Sequence, residues 1–112
     1  MLKDNINTLK EKFMTYDCVI IGSGVAGLTA ALYLARANKS VLIIEDSIIG
    51  GTTATLELIE NYPGFVKISG TDLTYNMSQQ INELDIPYIN EEVIKIDVKE
   101  NNKTVITLKI RK

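Results

Sequence analysis

Residues 16–28 read Tyr-Asp-Cys-Val-Ile-Ile-Gly-Ser-Gly-Val-Ala-Gly-Leu, and this stretch decides the fold. Residues 16–21 are a short apolar run closed by Gly22, which predicts a fully buried strand. Past the glycines the apolar period changes. Leu28, Ala31, Leu32 and Ala35 recur at i, i+3, i+4 and i+7, predicting a helix over residues 25–38 that Asn38 and Lys39 bring to an end. Residues 40–45 (SVLIIE) are again short, apolar and β-branched, and they finish on a carboxylate. Strand, helix and strand within about 30 residues make a βαβ unit with parallel strands.

Downstream, residues 46–69 read as a loop holding Gly50, Gly51 and the turn-forming Asn-Tyr-Pro-Gly-Phe of residues 61–65. Ser69 and Asp72 form an S-x-x-D capping box. The helix it opens carries Leu73, Met77, Ile81 and Leu84 on one face. Residues 86–90 suit a third short parallel strand. Ile94, Ile96 and Val98 then alternate with Lys95, Asp97 and Lys99, Asn101 and Asn102 turn the chain, and Ile106, Leu108 and Ile110 alternate again. That pattern is an antiparallel hairpin. Upstream, Leu2, Ile6, Leu9 and Phe13 make one helical stripe, read as a non-catalytic extension over residues 1–15 ahead of a domain over 16–112. The fold class is a Rossmann-like α/β dinucleotide-binding domain in three layers, a parallel sheet plus an antiparallel hairpin.

Composition narrows the chemistry. The 112 residues suffice for one small domain, and 46% hydrophobic with 23% charged is ordinary for a globular chain. A net charge of −2 leaves no basic footprint for nucleic acid. One cysteine rules out an intrachain disulfide, and the absence of histidine removes His-based acid–base catalysis, His-containing triads and His-ligated zinc. No residue is assigned as a catalyst or metal ligand, so chemistry here comes from a bound cofactor. Cys18, mid-strand in an apolar run, reads as an inert small hydrophobe. Residues 18–35 lack charge, but three glycines and the change of period make them strand, turn and helix rather than a membrane span. A cytoplasmic protein is expected.

Residues 22–27 are G-x-G-x-x-G, between a predicted strand and a predicted helix. Gly22 permits the tight turn, Gly24 admits a pyrophosphate to the backbone, and Gly27 lets helix and strand pack closely. Val25 and Ala26 lie in the first helical turn, whose free N–H groups and positive dipole end attract phosphate. Ser23 offers a hydroxyl donor. Glu45 stands 18 residues past Gly27, near the ~20 expected for a carboxylate that binds a ribose diol. Alone, Glu45 reads as a solvated strand end. Together these features point to an adenine dinucleotide, without choosing NAD or FAD.

Three stretches choose. Residues 16–37 (YDCVIIGSGVAGLTAALYLARA), residues 41–45 (VLIIE) followed by Gly50 and Gly51, and residues 59–65 (IENYPGF) together resemble the FAD domain of bacterial thioredoxin reductases, the low-molecular-weight pyridine nucleotide–disulfide oxidoreductases. The alkyl hydroperoxide reductase flavoproteins share these motifs. The resemblance runs from about Tyr16 to the chain end, and its most specific element is the N-Y-P-G-F turn at its distance from the paired glycines. It implies FAD with its pyrophosphate on residues 22–27 and its adenosine ribose on Glu45, with Asp46 beside it. It implies that Gly50, Gly51 and Thr52 run beneath the pyrophosphate and flavin side, that Asn61 hydrogen-bonds near the isoalloxazine, and that the backbone around Val93 borders the adenine. In the complete enzyme it implies NADPH as donor, a Cys-x-x-Cys pair, thioredoxin or a similar disulfide as acceptor, and a homodimer.

Three departures stand out. Val25 replaces the family's usual proline, Thr52 its glutamine, and Ala54 and Leu56 break its threonine-rich tract. The shorter Thr52 loses reach toward the flavin. The chain also carries no Cys-x-x-Cys and no second G-x-G-x-x-G/A. The reading that follows is the FAD-binding part of a thioredoxin-reductase-like flavoprotein, incomplete at its C-terminus and inactive alone. The alternative is a stand-alone or regulatory adenine-dinucleotide module that needs a partner subunit. A reductase relative using another donor, such as ferredoxin, is a third reading.

Overall fold

A computed structural model describes residues 14–109. The helix expected over residues 2–13 and the last hairpin position, Ile110, lie outside the described residues. The elements run β1 (Cys18–Ile21), α1 (Val25–Arg36), β2 (Val41–Glu45), a 3₁₀ turn (Gly51–Thr55), α2 (Gly70–Glu83), β3 (Tyr88–Val98) and β4 (Lys103–Lys109). The sheet order is β1-β2-β3-β4. β1, β2 and β3 are parallel and β4 is antiparallel to β3.

Both crossovers step the same way across the sheet, and right-handed connections then put both helices on one face. The core forms there. Val41 and Ile43 of β2 meet Leu28 and Ala31 of α1 and Leu73, Met77 and Ile81 of α2 in one cluster. All five residues of β2 are buried, as a central parallel strand requires. On the opposite face Leu42 and Ile44 are also buried, and a cleft there gathers Ile21 and Ile44 with Val93 of β3.

Local chemistry accounts for the element ends. Asp17 and Ser40 bond reciprocally: the Asp17 amide donates to Ser40 Oγ at 2.8 Å, and the Ser40 amide donates to Asp17 Oδ2 at 2.8 Å. This clamps the starts of β1 and β2 together. Helix α1 stops at Arg36, two residues short of the range expected from the sequence, because Asn38 adopts φ +62° and leaves the helix. Ser69 caps α2 by accepting from the Asp72 amide at 3.1 Å. Leu84 departs from the expected buried face of α2: it is the C-cap residue and is exposed.

The hairpin differs most from expectation. The third parallel strand and the first hairpin arm are one continuous strand, with a bulge between Val93 and Lys95. The extra residue reverses the alternation. Ile96 therefore stands opposite Val105, while Ile106 stands opposite Lys95. Ile94, Ile96, Val98 and Leu108 are all exposed among the described residues.

Candidate functional site

The site forms where the C-terminal ends of β1 and β2 meet the start of α1. The Gly22 amide donates to the Ile44 carbonyl at 2.8 Å, so the loop leaves β1 while still paired to β2. At Gly27 an added Cβ would lie 2.5 Å from the Gly22 carbonyl oxygen and 3.2 Å from Ile20 Cγ2. Only glycine lets α1 approach the turn this closely. At Gly24, by contrast, a Cβ would meet nothing within 4 Å.

That open space lies at a free helix end. Gly24 is the N-cap of α1, no side chain among the described residues caps it, and no acidic residue occupies the first turn. The first amides of α1 thus keep their donors for an outside acceptor. An open approach and uncapped donors fit a pyrophosphate.

Ser23 departs from its expected role. Its side chain is fully buried. The hydroxyl donates to Glu45 Oε1 at 2.6 Å and accepts from the Gly50 amide at 3.0 Å. Its one hydrogen is spent inside the protein, so it is not a phosphate donor. The Ser23 amide also donates to Glu45 Oε1, at 2.9 Å.

Glu45 is likewise not a solvated strand end. It is buried, and its Oε2 accepts from the Ser47 amide at 3.0 Å. Burial pushes its carboxyl pKa up, but donors from the Ser23 hydroxyl, the Ser47 amide and the Ser23 amide outweigh burial and hold it below the ordinary value. Tyr88 feels this charge: burial first, then the Glu45 carboxylate, raises its phenol.

The paired glycines close against the loop. The Gly50 amide also donates to the Ser23 carbonyl at 2.9 Å. A Cβ on Gly50, at φ +99°, would stand 2.7 Å from Thr74 Cβ, so the pair is wedged between loop and α2. A Cβ on Gly51 would lie 3.5 Å from the Gly24 amide nitrogen and 3.7 Å from Glu45 Oε1. Asn90 ties β3 to the same corner, its side-chain amide donating to the Glu45 and Ser47 carbonyls at 2.8 Å each. Beside it lies a cleft of about 140 Å³ lined by Gly22, Glu45, Asp46, Glu91 and Val93 with Ile21 and Ile44.

The structure therefore brings together Gly22, Ser23, Gly24, Glu45, Asp46, Gly50, Gly51 and Val93. Val25 and Ala26 lie in the first turn of α1. Thr52 is exposed in the 3₁₀ turn, and Asn61 is exposed outside the cleft lining. Next to Asn61, the Phe65 amide donates to the Tyr62 carbonyl at 3.2 Å across Pro63 and Gly64, and the Tyr62 and Phe65 rings lie 6.4 Å apart. Sequence reasoning assigned no site role to Asn90, the last residue of the expected third strand, or to Glu91 just past it. The pairing of β3 beside β2, with Asn90 opposite Glu45, is what brings them to this corner.

Residues 16–110 match the family model described as pyridine nucleotide-disulphide oxidoreductase. The chain belongs to this family. As a pyridine nucleotide-disulphide oxidoreductase it is 45% identical over 86 residues to thioredoxin reductase of Bacillus subtilis, covering 76% of this chain and 27% of the relative. It is 41% identical over 90 residues to that of Ureaplasma parvum, covering 80% and 29%. Its fold superposes on thioredoxin reductase of Lactococcus lactis with a TM-score of 0.80 and 39% identity, over 83% of this chain and 31% of that one. A ferredoxin-flavin thioredoxin reductase of Clostridium acetobutylicum gives 0.74 and 33%, over 85% and 33%. The chain spans about three-tenths of the length of these relatives. The Rossmann-like α/β class and the nucleotide-binding character expected from the sequence agree with the family. No helix among the described residues is long and apolar enough to cross a membrane.

Proposed function

We propose that residues 16–112 are the FAD-binding part of a thioredoxin-reductase-like flavoenzyme. One observation carries this reading. The uncapped start of α1, open above Gly24, lies beside a cleft that joins Gly22, Glu45, Asp46 and Val93. Pyrophosphate lies on the glycine loop of residues 22–27, held by the free amides at the start of α1, and Glu45 with Asp46 meets the adenosine ribose. The Val93 backbone borders the adenine. Gly50, Gly51 and Thr52 run beneath the pyrophosphate toward the flavin, and Asn61 reaches the isoalloxazine.

When bound, the flavin supplies two-electron carrier chemistry. The residues of this chain bind and orient it, and none is a chemical catalyst. The whole enzyme takes electrons from NADPH and delivers them to the disulfide of thioredoxin or a similar substrate, as a cytoplasmic homodimer. Titrating the 112-residue chain with FAD and following flavin fluorescence tests the binding claim. Saturable one-to-one binding, displaced by ADP, is expected. No binding of either nucleotide would refute it.

A further inference from the structure

We propose that Ser23 is a positioning residue of the cofactor cradle, its hydroxyl setting the Glu45 carboxylate and the Gly50 and Gly51 turn in place before any ligand arrives. This rests on the dinucleotide-binding reading above and adds a residue whose work is done through others. Three segments distant in sequence meet at this one oxygen. It donates to Glu45 Oε1 at 2.6 Å, 22 residues away, and accepts from the Gly50 amide at 3.0 Å, 27 residues away. Each of the three segments carries a proposed cofactor contact. The oxygen is fully buried and its hydrogen is already used, so it touches no ligand.

The geometry separates this role from that of an ordinary satisfied core serine. Glu45 lines the cleft, and Gly51 faces both Gly24 and Glu45, since a Cβ added to it would lie 3.5 Å from the Gly24 amide nitrogen and 3.7 Å from Glu45 Oε1. A hydroxyl that moves Glu45 therefore moves two walls of the cradle. Removing it leaves the backbone scaffold in place. The Gly50 amide keeps the Ser23 carbonyl at 2.9 Å, and Glu45 keeps the Ser23 and Ser47 amides at 2.9 and 3.0 Å. A Ser23→Ala chain should fold, with a cradle less well ordered.

Charge adds a second signature. Glu45 faces Asp46 on its own segment and Tyr88 and Glu91 on β3, and among the described residues no lysine or arginine lines the cleft. Its ionisation depends on hydrogen-bond donors rather than on a cation. Losing the Ser23 hydroxyl removes the strongest of those donors while burial persists, so the Glu45 pKa must rise.

Two measurements on the full 112-residue chain test this. The first needs no ligand: a carbon-13 NMR titration of the Glu45 carboxylate in wild type and Ser23→Ala. The midpoint should move up in the variant. An unmoved midpoint overturns the proposal, whether or not the chain binds FAD. The second is FAD affinity across pH. Ser23→Ala should bind roughly tenfold more weakly, and its loss of binding on acidification should begin at higher pH. Glu45→Gln should flatten that acid limb in both backgrounds. A uniform drop across pH, with the acid limb unmoved, marks a merely structural serine and overturns the proposal. If wild type binds no FAD, the function proposed above fails, while the ligand-free titration still decides the role of Ser23.

Discussion

The backbone at Gly27 lies so close to Gly22 that a Cβ added there would stand 2.5 Å from the Gly22 carbonyl oxygen. Helix α1 therefore rests directly on the turn that opens it, and its free amides are aimed by that contact. Gly27→Ala must push helix from strand. Overpacking of this kind costs about 1–3 kcal/mol. Urea denaturation should show that loss, and FAD affinity should fall with it. A variant as stable as wild type would mean the helix does not sit where the structure has it.

Asp17 and Ser40 supply a pH-dependent clamp. The Ser40 amide, then the Ser40 hydroxyl, holds the Asp17 carboxyl below its ordinary 3.8. A depressed folded-state pKa gives stability that is present above the ordinary value and lost as pH falls through the folded one. Asp17→Ala should be less stable than wild type at neutral pH, and the gap should narrow on acidification. Denaturation midpoints across the carboxylate range check this. A gap that stays constant with pH would contradict it.

The core is one-sided, and substitutions should report it. Ile43 is fully buried between the helices. Ile43→Ala should cost about 2–5 kcal/mol. Ile96, half exposed on the hairpin, should cost no more than about 0.5 kcal/mol when changed to alanine. Thermal unfolding of the two variants side by side measures the contrast.

Disulfide reduction should be absent from this chain alone. It has one cysteine, half-buried in β1, and a dithiol needs two. An assay with NADPH and a chromogenic disulfide should give no rate above buffer, with or without FAD. Turnover would show chemistry that these residues do not account for.

Much of the fold was legible because local rules agreed with one another. The strand, G-x-G-x-x-G turn and helix each announced themselves through a change of apolar period, and Ser69 caps α2 as its spacing to Asp72 implied. The hairpin register was not legible. A single bulged residue near Ile94 reverses which side chains share a face, and periodicity alone cannot count a bulge. The site was legible by membership and not by role. Glycine spacing and the strand-end carboxylate named residues that the fold gathers into one corner, yet nothing in the string says that Ser23 points inward to Glu45. That direction depends on where β2 lies beside the turn, which is a tertiary fact. Leu84 was misjudged for a similar reason, since the period ran on past the point where the helix stops.

The most direct test of the account is FAD binding by Gly24→Ala beside wild type. Gly24 has φ −69°, open to any residue, and a Cβ there meets no atom of the described residues within 4 Å. The account predicts that this variant stays within about 1 kcal/mol of wild-type stability, yet loses at least about tenfold in FAD affinity because the methyl group occupies the pyrophosphate's approach. Unchanged affinity in a folded variant would contradict the claim that this glycine loop holds the cofactor.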